Sequence, residues 1–167
     1  MPSSDQGVEA RRYMVIPRSL IFLFDENDRV LLIKGSKTKR LWAGLYNGIG
    51  GHIERGEDIR EAALRELQEE TGITDVELFF VGEIMVDVSD EIGVAIFLFR
   101  GQYGGDDFTD SAEGQLTWVP IEKMSEVAAV EDLPVILPKI AKHQASDPIL
   151  IGKYRYGLNG ELEISFQ

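Results

Sequence analysis

The stretch from Gly51 to Ile73, GHIERGEDIREAALRELQEETGI, constrains this chain more than any other. Its middle is predicted to be helical. Asp58 can cap the N-terminus, and Glu61 three residues on completes an acidic capping box. Residues Ile59 to Glu70 are mostly good helix formers with no Gly or Pro among them. Gly72 stands where a left-handed C-terminal residue is wanted. On such a helix Ile59, Ala63, Leu64 and Leu67 share one side, which is predicted to face a core. Glu66, Glu69 and Glu70 fall at i, i+3 and i+4, so their carboxylates crowd on the adjoining side. Like charges at that spacing cost about 0.2–0.5 kcal/mol per pair. A solvated acidic face is one reading of the run. The other is a hard divalent cation, because Mg²⁺ favours carboxylate oxygens and bridges them to phosphates.

The rest of the composition sets limits. A chain of 167 residues with 44% apolar content is expected to form one domain with a proper core. There is no cysteine, which excludes disulfides, thiolate metal sites and a Cys nucleophile. With only two histidines far apart, a His-based zinc site is unsupported. The formal charge is −12, from 17 basic and 29 acidic residues. Such a surface repels nucleic-acid polymers and anionic membranes, which need a basic face. It still admits a small polyphosphate where cations and local Lys or Arg invert the field. No stretch has the length of a membrane span and the N-terminus lacks a signal-peptide core, so a cytoplasmic protein is the expectation.

Taken in order, residues 1–11 read as a disordered tail. A strand is predicted over Arg18–Phe24, followed by a turn at Asp25–Asp28 and a returning strand at Arg29–Lys34. Residues 35–46 form a basic loop carrying Trp42, and Asn47–Ile53 is a short Gly-rich strand. After the helix, Val76–Val88 and Ile92–Arg100 read as two apolar strands separated by Ser89-Asp90-Glu91, followed by a flexible acidic loop over residues 101–114. Gln115–Val119 is a strand stopped by Pro120. Ile121–Val130 and Leu133–His143 read as two short helices. From Ile149 the pattern alternates, and Asn159-Gly160 marks a hairpin. The fold class is α/β: a mixed sheet with the long helix on one side and shorter helices on the other. The domain is expected to span residues 12–145, with a C-terminal hairpin over 146–167 packed on it.

Gly51 is followed at the sixth position by Glu57, then by Arg65-Glu66-Leu67, Glu69-Glu70, and Gly72-Ile73. In this the chain resembles the Nudix hydrolase family. Its signature is Gly, five residues, Glu, seven residues, Arg-Glu-aliphatic, any residue, Glu-Glu, any residue, Gly-aliphatic. Every fixed position is filled, over a resemblance covering roughly Arg18–Ile140. The resemblance implies an α/β/α sandwich and a metal-dependent pyrophosphohydrolase. It implies Mg²⁺, with Mn²⁺ as a substitute, held by Glu66, Glu69 and Glu70. It casts Arg65 as the arginine that steadies neighbouring glutamates, which is equally an ordinary i,i+4 pair with Glu69. Glu57 either joins the metal shell or supports the loop. Gly51 offers its carbonyl to the metal, or only bends a strand. One more carboxylate is expected from the late loop. Glu113 is the best placed, with Asp106, Asp107 and Asp110 as rivals.

For the substrate, Asn47 can read a purine edge by paired hydrogen bonds, as at the equivalent place in the family's oxidised-purine triphosphatases, or simply form a turn before Gly48. Lys34 ends its strand where a phosphate would lie, with Lys37, Lys39 and Arg40 as alternatives. Trp42 can stack on a base, whereas Trp118 fits a strand pattern and the core. His52 is placed to touch phosphate, and His143 reads as surface. The reaction implied is water attack on a nucleoside diphosphate linked to X. Glu66, oriented by Arg65, is the first choice of base, with Glu69 completing the catalytic set. The segment LWAGLYNGIGGHIERGE resembles the branch that sanitises 8-oxo-dGTP to the monophosphate and pyrophosphate. That branch grips the base with an aspartate pair and an aromatic, where this chain offers Glu131-Asp132 without a clear aromatic partner. Dinucleoside polyphosphates and ADP-ribose remain alternative substrates. A non-catalytic nucleotide-binding module is the alternative of another class, and a homodimer through the C-terminal hairpin is compatible with catalysis.

Overall fold

The computed structural model describes residues 2–7, 12–37 and 42–167. Lys39 and Arg40, two of the phosphate candidates, and residues 1 and 8–11 of the predicted N-terminal tail lie outside these residues. Within residues 2–7, Ser3–Gln6 forms a single 3-10 turn.

The strands are β1 (Met14–Phe24), β2 (Arg29–Gly35), β3 (Tyr46–Asn47), β4 (Leu78–Asp87), β5 (Ile92–Gln102), β6 (Gly114–Pro120), β7 (Leu150–Tyr156) and β8 (Leu162–Phe166). The helices are α1 (Ile59–Thr71) and α2 (Leu133–Lys142). Among the described residues the strands form one mixed sheet in the order β3-β2-β1-β5-β4-β7-β8, with β6 pairing β2. β1 and β5 run parallel from Met14↔Ile92 to Phe24↔Gln102, as do β4 and β7, while the remaining pairs are antiparallel.

Side chains alternate across the strands and so divide the core in two. Ile21, Leu23, Leu31, Ile33 and Phe99 pack beneath α1 with Ala63 and Leu67. Phe22, Phe24, Val30, Leu32 and Leu98 face the other way, onto Leu133, Ile136, Leu137 and Ile140 of α2. The expected three-layer arrangement is therefore present. The C-terminal hairpin adds two strands to the sheet through β7, and Gly160 turns it at φ 78°.

Several expectations change in detail. β1 begins at Met14, not Arg18, and runs through Pro17. The Pro17 carbonyl accepts from Ile53 N at 3.1 Å, so the missing N–H of Pro17 points away from β5 and costs that ladder nothing. Ile121–Glu126 is a 3-10 turn and not the start of a helix reaching Val130. Residues 128–130 are extended instead, because Ala128 O and Val130 N bond to the backbone of Tyr46. On α1 the buried side includes Ala62, whereas Leu64 is 37% exposed. His143 is buried, not on the surface, and its carbonyl caps the end of α2 by accepting from Arg100 Nη1. The acidic loop after β5 is anchored. Tyr103 donates to Asp107, Trp118 Nε1 donates to Asp106 at 3.2 Å, and Asp110 accepts from Leu116 N at 2.8 Å. Trp118 itself is half-buried, edge-on to Phe108 and beneath the Arg29 guanidinium.

Candidate active site

The capping box forms as expected: Asp58 accepts from Arg60 N and Glu61 N, and Glu61 accepts from Asp58 N. Gly72 closes the helix at φ 77°. The helix so fixed turns an acidic edge inward. Glu70 is only 6% exposed, and its Oε2 accepts from Gly50 N at 3.1 Å. Gly50 lies in a segment that runs antiparallel to β1, with Ser19 N donating to Gly51 O at 2.9 Å and Ile21 N to Ile49 O at 2.7 Å. At Gly50 φ is 146°, and a Cβ there would stand 2.2 Å from Ser19 O, so only glycine fits. At Gly51 the obstacle is the site itself. A Cβ would meet the Glu66 carboxylate oxygens at 2.6 and 2.8 Å. The backbone of the loop and the carboxylate of the helix are in direct contact.

Arg65 is the hub of the remaining acids. Its Nε donates to Glu57 Oε1 at 2.5 Å and its Nη2 to Glu57 Oε2 at 3.0 Å, a bidentate fork. Nη1 donates to Glu66 Oε1 at 2.8 Å and to Glu69 Oε2 at 3.3 Å, while Nη2 also reaches His52 O at 3.0 Å. One planar cation thus ties the loop before the helix to two acids on the helix, which a point-charge ammonium cannot reproduce. The hydrogen bonds that Arg65 donates to Glu57 and Glu66 push its guanidinium to still higher pKa. The Arg65 hydrogen bonds, followed by the Glu54 N–H, hold the Glu57 carboxyl below the usual carboxylate range. Arg65 makes the i,i+4 pair with Glu69 and the contacts to Glu57 and Glu66 at the same time.

The late-loop candidates separate. Asp107 is bonded within its own loop, and Asp106 and Asp110 to Trp118 and Leu116 of β6. Glu113 lies on the exposed run into β6, its carbonyl accepting from Ser36 N at 3.0 Å at the end of β2. Asn47 sits in β3 opposite Ile33, and its Oδ1 accepts from Gly48 N at 2.8 Å. Lys34 is exposed, with Nζ 5.4 Å from the centre of the Tyr46 ring. Trp42 is 47% exposed at φ 57°, in a turn where its carbonyl accepts from Leu45 N. His52 is exposed beside Gly51. The contribution of Gly50 as donor to Glu70 was hidden in sequence. Its only trace was the doubled glycine.

A NUDIX-domain family model matches residues 14–140. The chain belongs to the Nudix family. It is 36% identical over 97 residues to an oxidized purine nucleoside triphosphate hydrolase of Danio rerio, covering 58% of this chain and 61% of that protein, less than two thirds of its length. It is 29% identical to the uncharacterized Nudix hydrolase YvcI of Bacillus subtilis over 81% of this chain and 84% of that one. Among solved structures, a MutT protein of Bacillus halodurans superposes with a TM-score of 0.75 at 25% identity, covering 92% of this chain and 98% of that one.

Nudix hydrolases generally use a divalent metal such as Mg²⁺. Among the described residues no group of three His, Asp or Glu side chains is assembled to hold an ion. Arg65 pairs with Glu57, Glu66 and Glu69 in this arrangement. The donor set nevertheless suits a hard cation: oxygens only, no thiolate, and the Glu66 carboxylate pressed against a glycine that leaves no room for a side chain. A surface hollow of ≈ 360 Å³ lined by Tyr13, Asp87, Ile151 and Lys153 lies elsewhere on the sheet and includes none of the Nudix signature residues. Among the described residues no helix is long and apolar enough to cross a membrane.

Proposed function

We propose that this chain is a Mg²⁺-dependent pyrophosphohydrolase of nucleoside diphosphates linked to X. Its leading substrate is a purine (d)NTP such as 8-oxo-dGTP, cleaved to the monophosphate and pyrophosphate. The observation that carries this reading is the Arg65 fork gathering Glu57, Glu66 and Glu69 beside Gly51, whose backbone touches the Glu66 carboxylate. The likeness to the Danio rerio oxidized purine nucleoside triphosphate hydrolase supports the choice of substrate.

Glu66, Glu69 and Glu70 would hold the cation, with Glu57 and Glu113 completing its surroundings. The Gly51 carbonyl keeps one lone pair beyond its bond from Ser19 N. A bound divalent cation supplies charge neutralisation for the polyphosphate and acidifies water. The chain's own residues do the rest. Arg65 holds Glu66 by Oε1 alone, which leaves Oε2 to take the proton of the attacking water. Asn47 meets the base edge, Trp42 offers an exposed ring for stacking, and Lys34 meets phosphate. Positioning and charge stabilisation are the main demands of phosphoryl transfer, and a clamped carboxylate beside a fixed loop serves both.

The test is release of pyrophosphate and monophosphate by the purified chain over a panel of 8-oxo-dGTP, dGTP, diadenosine polyphosphates and ADP-ribose, with Mg²⁺ or EDTA. Preference for the triphosphates supports the reading, and preference for ADP-ribose or a dinucleoside polyphosphate moves the substrate assignment. Binding without any turnover would favour a non-catalytic module.

A further inference from the structure

The family model ends at residue 140, yet a side chain beyond it is built into the surroundings of β3. Tyr154 of β7 is 3% exposed, and its hydroxyl donates to Asp132 Oδ2 at 3.2 Å. Asp132 is the residue that caps α2, but its side chain makes no capping bond. It turns to Tyr154 instead. Its backbone carbonyl accepts from Val135 N at 2.9 Å and Ile136 N at 3.0 Å, which fixes the first turn of the helix. That turn also holds Val130 O, through Leu133 N at 3.2 Å. Val130 N in turn donates to Tyr46 O at 3.0 Å, and Tyr46 N to Ala128 O at 2.8 Å. β3 is only Tyr46-Asn47, pairing β2 at two positions, so the 128–130 segment is its second wall.

We propose that Tyr154 is a positioning residue of the nucleotide site: through Asp132 its hydroxyl holds the first turn of α2, and with it the strand that carries Asn47. The pair is costly to leave unmade. Burial pushes both groups up in pKa, the Asp132 carboxyl and the Tyr154 phenol, and the neighbouring Glu131 adds to the effect on Asp132. A buried donor or acceptor stripped of its partner seeks another, and the turn shifts. The aromatic partner that Glu131-Asp132 lacks in nearby sequence is thus supplied from the C-terminal hairpin, as a support for the acid. This rests on Asn47 meeting the base, as proposed above.

The experiment uses Tyr154→Phe, which keeps the buried ring and removes only the hydroxyl. Amide hydrogen exchange is followed at Tyr46 and Val130, with Ser19 and Ile21 as controls on the other strand, alongside steady-state kinetics with 8-oxo-dGTP and dGTP in Mg²⁺. Exchange is expected to accelerate at Tyr46 and Val130 alone. KM should rise about three- to tenfold with kcat unchanged, as befits one lost hydrogen bond. Asp132→Ala, which removes the acceptor, should accelerate exchange at the same two amides. Unchanged exchange at Tyr46 and Val130, uniform acceleration that includes Ser19 and Ile21, or an unchanged KM would each overturn the proposal. If the parent turns over neither nucleotide, the substrate reading fails separately. Exchange then decides whether the tyrosine holds β3.

Discussion

Replacing Gly51 by alanine adds one methyl group where the loop touches the Glu66 carboxylate. That methyl would lie 2.6 Å from Oε1, 2.7 Å from Cδ and 2.8 Å from Oε2, whereas real contacts of a Cβ essentially never fall below 3.0 Å. The carboxylate must therefore move by at least about 0.4 Å, and by nearer 0.8 Å to reach ordinary contact. Because the obstacle is the end of a flexible side chain and not backbone, the fold absorbs the change at a cost of about 1 kcal/mol or less. The chemistry does not, since a misplacement of about 1 Å costs on the order of 100-fold in rate. Gly51→Ala is expected to lower kcat/KM about 10- to 100-fold with a melting temperature within a few degrees of the parent. Gly50→Ala is the contrast. Its methyl would meet the Ser19 carbonyl at 2.2 Å, at a φ of 146°, so it should destabilise the fold by about 3 kcal/mol or more. Nucleotide turnover together with thermal melts of both variants decides. An active Gly51→Ala enzyme, or one as unstable as Gly50→Ala, would falsify the reading of the Gly51–Glu66 contact.

Other outcomes follow from the same geometry. Arg65→Lys keeps the charge but loses the fork to Glu57 and the reach to Glu66, Glu69 and His52, so kcat/KM should fall about tenfold or more while circular dichroism stays parent-like. Glu57 is held below its ordinary pKa by Arg65, so its contribution to stability is present above the unfolded carboxyl value and lost as pH falls through the folded one. Denaturation midpoints of Glu57→Gln should therefore lose part of the parent's decline in acid. Asp132 has the opposite sign. Burial raises its folded pKa, so its contribution is full below the ordinary aspartate value and lost as pH rises through the raised one. Asp132→Asn should gain on the parent in urea denaturation at pH 7 and show no such gain at pH 3. Deleting residues 146–167 uncovers Ile84 and Val86 and removes Tyr154, and should lower the melting temperature by about 10 °C or more.

Much of the frame was legible because local chemistry and global packing agree in it. The helix α1 has its capping box and its Gly72 stop where the letters place them, and Asn159-Gly160 turns the last hairpin. What the letters hid were choices made by tertiary contact. Periodicity put Leu64 in the core. The helix is rotated instead to bury Glu70 on Gly50 N and to set Glu66 on Gly51, and Ala62 takes the buried place. An acidic loop reads as flexible by composition, yet Asp106, Asp107 and Asp110 each find a donor that lies several residues away. Pro17 suggested a strand boundary because the side its carbonyl would face cannot be known from sequence. In the site, the acids and Arg65 stood in the signature. The link from Tyr154 to Asp132 spans the hairpin and α2, and no local pattern announces it.

The most direct measurement is the rate of pyrophosphate release from the preferred nucleotide as Mg²⁺ is titrated, for the parent chain and for Glu69→Gln. Saturable Mg²⁺ dependence in the parent, with turnover by Glu69→Gln reduced by an order of magnitude or more at equal folding, is the predicted result. Equal rates for the two proteins, or full activity of the parent in EDTA, would contradict a metal-dependent reaction run from the acidic edge of α1.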